Sequence, residues 1–326
     1  MSGVRVTAVG AWPGTNVHDA TSLMRDMCVG LLHLPELPDR GPGADMIGRT
    51  MGLLSSVAND FAVETVPTGW RMTAARGRDM RRADAFIGED LDKAEELCTG
   101  YDGDFKIQII GPWSLAASVE NRSGEKLLRD SGAVRDLAGA LGHTIESYVA
   151  DVQRRLPLAT VILEIDEPYV TDVLRGSVKT QSGWSAHSPV EPVIVEDTLQ
   201  RVREHHDGQS VIHCCADEVP FDLFRKAGFT APSWDVALVG PSAADHIGEQ
   251  IDAGGFVILG LEPSSVKAGV DTVVKLGNRV GYQDAEWNSH IVLSPPCDLI
   301  DMSLSQARER METLNKVAKA LAQEDS

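Results

Sequence analysis

The chain has 326 residues, 43% of them apolar, and a formal net charge of −18. That charge argues against a nucleic-acid surface or an anionic-membrane partner, because both would repel it. No window approaches the roughly 18 uninterrupted apolar residues of a membrane span, and the N-terminus runs straight into a short strand pattern with no signal peptide, so a cytoplasmic protein is expected.

Apolar, β-rich runs alternate with longer helical patterns from one end to the other. A first strand is predicted over Arg5 to Gly10, ending in the turn Ala11-Trp12-Pro13-Gly14. A helix over His18 to Met27 leads to a strand at Cys28 to His33, and that strand runs out through Leu34-Pro35-Glu36. A helix pattern covers Ala44 to Ala62, and an extended segment near 63–75 turns at Pro67 and Gly69 as a hairpin excursion. The helix Met80 to Cys98 precedes the strand Phe105 to Ile110, which stops at Gly111-Pro112-Trp113. Next come an amphipathic helix over Ser131 to Leu156 and the strand Ala159 to Ile165, closed by Asp166-Glu167-Pro168. The helix Val193 to His206 precedes the strand that begins at Ser210 and ends in His213-Cys214-Cys215, and a short helix spans Phe221 to Ala227. Further strands are predicted at Trp234 to Leu238, Phe256 to Gly260 and His290 to Ser294, with helix patterns between them and a last helix over Ser303 to Gln323.

Setting the hairpin aside leaves eight strands, each followed by a helix. Strict alternation implies a parallel sheet, and eight such units close a (β/α)8 barrel of the TIM type, here expected as one domain over 1–326. A doubly wound open sheet is the runner-up. The turn after the first strand lacks the G-x-G-x-x-G spacing that would favour it.

A barrel puts function at the C-terminal ends of its strands. Glu36, Asp166, Glu167, His213, Cys215, Asp235 and Cys297 all fall there. Side chains two apart on a strand share a face, so His213 and Cys215 point one way and Cys214 the other. Free cysteine packs as a small hydrophobe, and an isolated H-x-C is more often a core feature than a ligand pair. Cys297, held behind Pro295-Pro296 at the end of the eighth strand, tips the balance toward a metal site formed with His213, Cys215 and a carboxylate. Imidazole and sulfur donors together suit zinc better than magnesium or calcium. Five cysteines, an odd number, argue against a disulfide framework; Cys28, Cys98 and Cys214 read as core residues. For Asp166-Glu167-Pro168 two readings stand open: a cap for the following turn, or carboxylates holding a substrate ammonium group. Trp12, Trp113, Trp184 and Trp234 stand near strand ends, where they either cover the core or stack on a flat ligand.

These residues resemble the catalytic half of cobalamin-independent methionine synthase and, more closely, short actinobacterial single-barrel relatives of it. The likeness lies in Ile165-Asp166-Glu167-Pro168, His213-Cys214-Cys215 and Ser294-Pro-Pro-Cys297-Asp-Leu, supported by the segments around Trp12-Pro13, Gly111-Pro-Trp113 and Leu34-Pro-Glu36-Leu-Pro-Asp. The resemblance implies zinc held by His213, Cys215 and Cys297, with Asp235 as the nearest match to a fourth, glutamate, ligand. It implies that Asp166, assisted by Glu36, binds the amino group of homocysteine, and that the coordinated thiol takes a methyl group from a methyl-folate or a methyl-corrinoid protein. Three departures accompany it. The chain has no second, N-terminal barrel; Leu259-Gly-Leu-Glu262-Pro lacks the family's proton-donating histidine; and Trp12-Pro-Gly-Thr replaces the family's Phe-Pro-x-Thr. A metal-free decarboxylase of the uroporphyrinogen type, or a barrel that binds thiol or metal without turnover, are the alternative expectations.

Overall fold

A computed structural model describes residues 3–238, 240, 243–282 and 284–324. Eight parallel strands form the central sheet: β1 (Arg5–Val6), β2 (Leu31–His33), β5 (Asp104–Ile110), β6 (Thr160–Asp166), β7 (Ser210–His213), β8 (Ala231–Asp235), β9 (Val257–Gly260) and β10 (Ile291–Ser294). Their order is β1-β10-β9-β8-β7-β6-β5-β2. Reciprocal 2.8 Å backbone bonds between Val6 and Val29 join the two ends of that sheet and close the barrel. This is a TIM-type α/β barrel. Among the described residues, no helix is long and apolar enough to cross a membrane.

The hairpin excursion is β3 (Val63–Val66) against β4 (Gly69–Met72). It lies over the barrel through paired backbone bonds of Trp70 and Met72 to Glu120, both 2.8 Å, and through Trp70 Nε1, which donates to Asp45 at 3.0 Å.

The helices are α1 (Val17–Met27), α2 (Met46–Val57), α3 (Arg78–Leu97), α4 (Pro112–Ser118), α5 (Ser131–Arg155), α6 (Val170–Arg175), α7 (Pro192–Arg203), α8 (Phe221–Lys226), α9 (Ala243–Asp252), α10 (Val266–Val280), α11 (Asp284–Ser289) and α12 (Leu304–Glu324). Side-chain oxygens start several of them: Asn16 caps α1, Asp45 caps α2, Asp130 caps α5 and Ser265 caps α10, each accepting backbone N–H groups that have no partner inside the helix. The α2 helix stops at Val57, five residues before the predicted end, where Ala58 turns extended and a 3₁₀ turn at Asn59–Phe61 takes over.

One strand lies earlier in the chain than the sequence predicts. β8 occupies Ala231–Asp235 instead of Trp234 to Leu238, because Val236 to Leu238 already form a turn. Pro232 sits inside the strand and cannot donate to a ladder, which hid the true start.

The barrel lumen changes character along its length. Leu31, Ile162, Val211, Ala231, Phe256, Ile258 and Val292 form a separate apolar cluster. Polar side chains from the same strands are buried as well: Lys106, Gln108, Glu164, Asp166, His213, Ser233 and Ser294. Lys106 Nζ donates to Glu164 and to the carbonyl of Val9 at 2.6 Å, so both buried charges are paired.

His33 is buried and wired on both sides. Trp12 Nε1 donates to its Nε2 at 2.8 Å, and Cys28 Sγ lies 3.6 Å from its Nδ1. A second proton would have to go on Nε2, against the Trp12 N–H. Burial, with Lys106 nearby, holds this imidazole well below its ordinary 6.5. A histidine kept neutral by folding contributes stability that is complete above 6.5 and is lost as pH falls below it. The advantage of wild type over His33→Gln in urea unfolding should therefore shrink by about 1.4 kcal/mol per pH unit below 6.5. A difference that does not change with pH would refute the buried neutral state.

Candidate functional site

The C-terminal end of β7 brings three soft donors together. One ligand atom each from His213, Cys215 and Cys297 lies within 4.8 Å of the others. His213 is the last residue of β7 and pairs in register with Asp166 of β6 on one side and Ser233 of β8 on the other. Ser233 Oγ is 3.0 Å from His213 Nδ1, while His213 Nε2 is buried with no hydrogen-bond partner. A hydroxyl on one ring nitrogen fixes the ring and leaves the other nitrogen as the one available to a metal. The two thiols act on each other: hydrogen bonding with Cys297 pushes Cys215 below its ordinary range, and the same interaction together with burial pushes Cys297 up. Two sulfurs and one imidazole are a donor set that fits zinc, and three protein ligands leave a coordination position free.

Asp235 is not one of this group. It ends β8, and its carboxylate turns back to accept the Ala237 N–H at 2.8 Å. The early end of β8 accounts for this, since Asp235 starts the turn instead of standing within a strand.

The two carboxylates of the Asp166-Glu167 pair have separate surroundings. Asp166 ends β6, is buried, and has one carboxylate oxygen with no partner. Burial raises it well above the usual carboxylate range, and Glu164, Glu36 and Cys297 push it the same way while Lys106 opposes. Glu36 is raised too, by burial first, with Arg49 as its counterion at 3.3 Å. Glu167 instead caps α4, accepting from Trp113 N at 2.9 Å, Ser114 N at 2.8 Å and Ser114 Oγ at 2.5 Å. It fits because Gly111 has no side chain: a Cβ there would lie 2.2 Å from Glu167 Oε1. Burial lifts Glu167 to about 7 against the pull of those three donors. With both oxygens engaged, its carboxylate orders the loop after β5, while its backbone N–H donates to the His213 carbonyl at 2.8 Å.

The other residues singled out from sequence fall into place around this group. Cys28, Cys98 and Cys214 are buried, and burial raises their thiols to about 12, 11 and 11. Trp12, Trp113 and Trp234 are buried in the core, whereas Trp184 is 95% exposed on the segment between α6 and α7. Glu262 follows β9 and is bound to Arg310 of α12 at 2.5 Å.

No family model matches this chain, and no curated protein matches it. Among solved structures it is similar to a B12-independent methionine synthase from Shewanella sp. W3-18-1 in complex with selenomethionine, with a TM-score of 0.64 and 12% identity over 99% of this chain and 98% of that one. A GH10 xylanase of Thermobacillus composti aligns over 98% of this chain and 97% of that one, at a TM-score of 0.48 and 10% identity. At such identities the likeness to the synthase shows a related barrel fold.

Sequence reasoning overlooked the residues that support the site. Ser233, which orients His213, lay before the predicted start of its strand. Lys106, Gln108 and Glu164 did leave a signal, since polar residues at alternating positions of otherwise apolar strands point into a barrel lumen. Arg49, paired with Glu36 and with the buried Asp90 of α3, left none, because on helices α2 and α3 these charges read as ordinary surface residues.

Proposed function

We propose that residues 1–326 form one catalytic barrel, a zinc-dependent S-methyltransferase that converts homocysteine to methionine with a methyl-folate or a methyl-corrinoid as donor. The observation that carries this reading is the meeting of His213, Cys215 and Cys297 around an unpartnered imidazole nitrogen. Zinc held by these three residues would keep a substrate thiol as thiolate at neutral pH and so make it a usable nucleophile. The chain's own residues do the rest. Asp166 offers a free, buried carboxylate oxygen beside His213, and Glu36 adds a second carboxylate, so an incoming ammonium group meets two acceptors that lack full compensation. Such charge-assisted bonds fix the amino-acid end of the substrate and thereby orient its sulfur. Burial of both carboxylates keeps water from competing for that ammonium.

Incubation of the protein with homocysteine and either methyltetrahydrofolate or methylcobalamin tests the proposal, with methionine as the readout. Methionine from one donor is expected; none from either would sink the catalytic reading. Asp166→Asn should raise KM for homocysteine about 10- to 100-fold, as for loss of a charged hydrogen bond of ~1.5–3 kcal/mol, with zinc content unchanged. An unaltered KM would remove Asp166 from substrate binding. A second reading, binding of thiol or metal without turnover, draws on the run Leu259-Gly-Leu-Glu262-Pro, which has no histidine where the resemblance calls for a proton donor, and whose Glu262 is tied to Arg310.

A further inference from the structure

We infer that the outer faces of α5 and α7 build a second, structural metal site, in which His143, Glu146 and His205 take a divalent ion of the zinc type. One ligand atom from each of these residues lies within 4.8 Å of the others. His143 and Glu146 are three apart on α5 and so share one face. His205 arrives from the other helix, just beyond the end of α7. Its ring is seated on α5 at Gly142, where a Cβ would lie 2.2 Å from the ring carbon Cδ2, so any larger residue there would displace it.

Glu146 already bridges the two rings. Its Oε1 is 2.7 Å from His205 Nδ1, its Oε2 is 3.3 Å from His143 Nδ1, and the rings meet edge to face at 5.1 Å. Two imidazoles and one carboxylate suit zinc, cobalt or nickel, and not magnesium or calcium. The adjoining cavity of about 470 Å³, lined also by Arg135, Arg201 and Glu204, leaves room for water to complete the coordination. An ion here would clamp α5 to the segment that enters β7 at Ser210, the opposite end of that strand from His213. Its role is therefore to brace the strand, apart from any chemistry at Cys215 and Cys297.

Cobalt provides the probe, because the two sites differ in sulfur. Metal-stripped wild-type protein titrated with Co²⁺ should take up an equivalent whose spectrum lacks thiolate-to-metal charge transfer. His205→Gln and Glu146→Gln should each weaken that equivalent at least tenfold and leave any thiolate-ligated one in place. In the Cys215→Ser/Cys297→Ser background, excess zinc should raise Tm by a few degrees, and adding His205→Gln should abolish the rise. Failure of the cysteine site to bind metal would leave this equivalent countable, so the two readings are tested separately. A Tm indifferent to zinc in the cysteine variant, or a sulfur-free equivalent that survives His205→Gln in the otherwise wild-type chain, overturns the assignment. Absence of any sulfur-free equivalent in wild type overturns it as well.

Discussion

On the proposed reading, Cys297→Ser should yield a folded barrel that loses a sulfur-ligated zinc and makes methionine roughly a thousandfold more slowly, the equivalent of about 4 kcal/mol of lost transition-state stabilisation. The hydroxyl of serine is close to the thiol in size, so packing behind Pro295 and Pro296 is little disturbed. What changes is the donor: a neutral hydroxyl replaces a sulfur that can ionise, and His213 with Cys215 alone cannot hold the ion tightly. Ser233→Ala should give a milder form of the same defect, because His213 would keep its nitrogen but lose the hydroxyl that sets its ring. Metal analysis after gel filtration, alongside circular dichroism, checks both. Wild-type protein that carries no zinc while its thiols titrate fully would refute the metal centre, and equal zinc in Cys297→Ser would remove Cys297 from it.

Arg49→Met should cost about 3–5 kcal/mol of stability, the usual penalty for leaving a buried charge without its partner. Arg49 is buried between Glu36 and Asp90; burial works against its charge, and those two carboxylates outweigh it. Asp90 would keep Arg40 at 2.7 Å, so the exposed debt falls on Glu36, which has no other salt bridge in the structure as described. The double variant Arg49→Met/Glu36→Gln should therefore recover much of the loss, since neutralising both halves of a buried pair is far less costly than removing one. Urea unfolding of the four proteins in this cycle decides the matter. Strict additivity, or a loss below about 1 kcal/mol for Arg49→Met, would show that the Glu36–Arg49 pair carries no coupling.

The alternation of apolar runs and helical patterns was enough to place the eight barrel strands, because parallel strands buried on both faces are continuous apolar stretches that stand out from amphipathic helices. It failed locally at β8, where Ala231-Pro-Ser has neither the alternation nor the β-branched residues that mark a strand. The same strand explains why Ser233 was passed over and why Asp235 was expected at a position its carboxylate does not occupy. The short helix α4 was read only as a stop at Gly111-Pro112-Trp113. Its cap comes from Glu167, some fifty residues downstream, and a partner that distant leaves no local mark. By contrast, His213, Cys215 and Cys297 were legible because a His-x-Cys run at a strand end and a rigid Pro-Pro lead-in are local features. Strand β7 stops at His213, earlier than expected, so Cys215 lies just beyond the strand, and barrel topology supplies the encounter.

The wide separation of those donors along the chain has a consequence for synthesis. Strand β7 leaves the ribosome about 80 residues ahead of Cys297. At ~5–20 residues per second, that is roughly four to sixteen seconds during which His213 and Cys215 stand near each other with no third donor and no closed wall around them. On the proposed reading, loading with metal must wait until β10 docks between β9 and β1. The nascent barrel therefore passes through an interval when its softest residues are open to oxidants and stray metal ions, and completion of the last strand ends it.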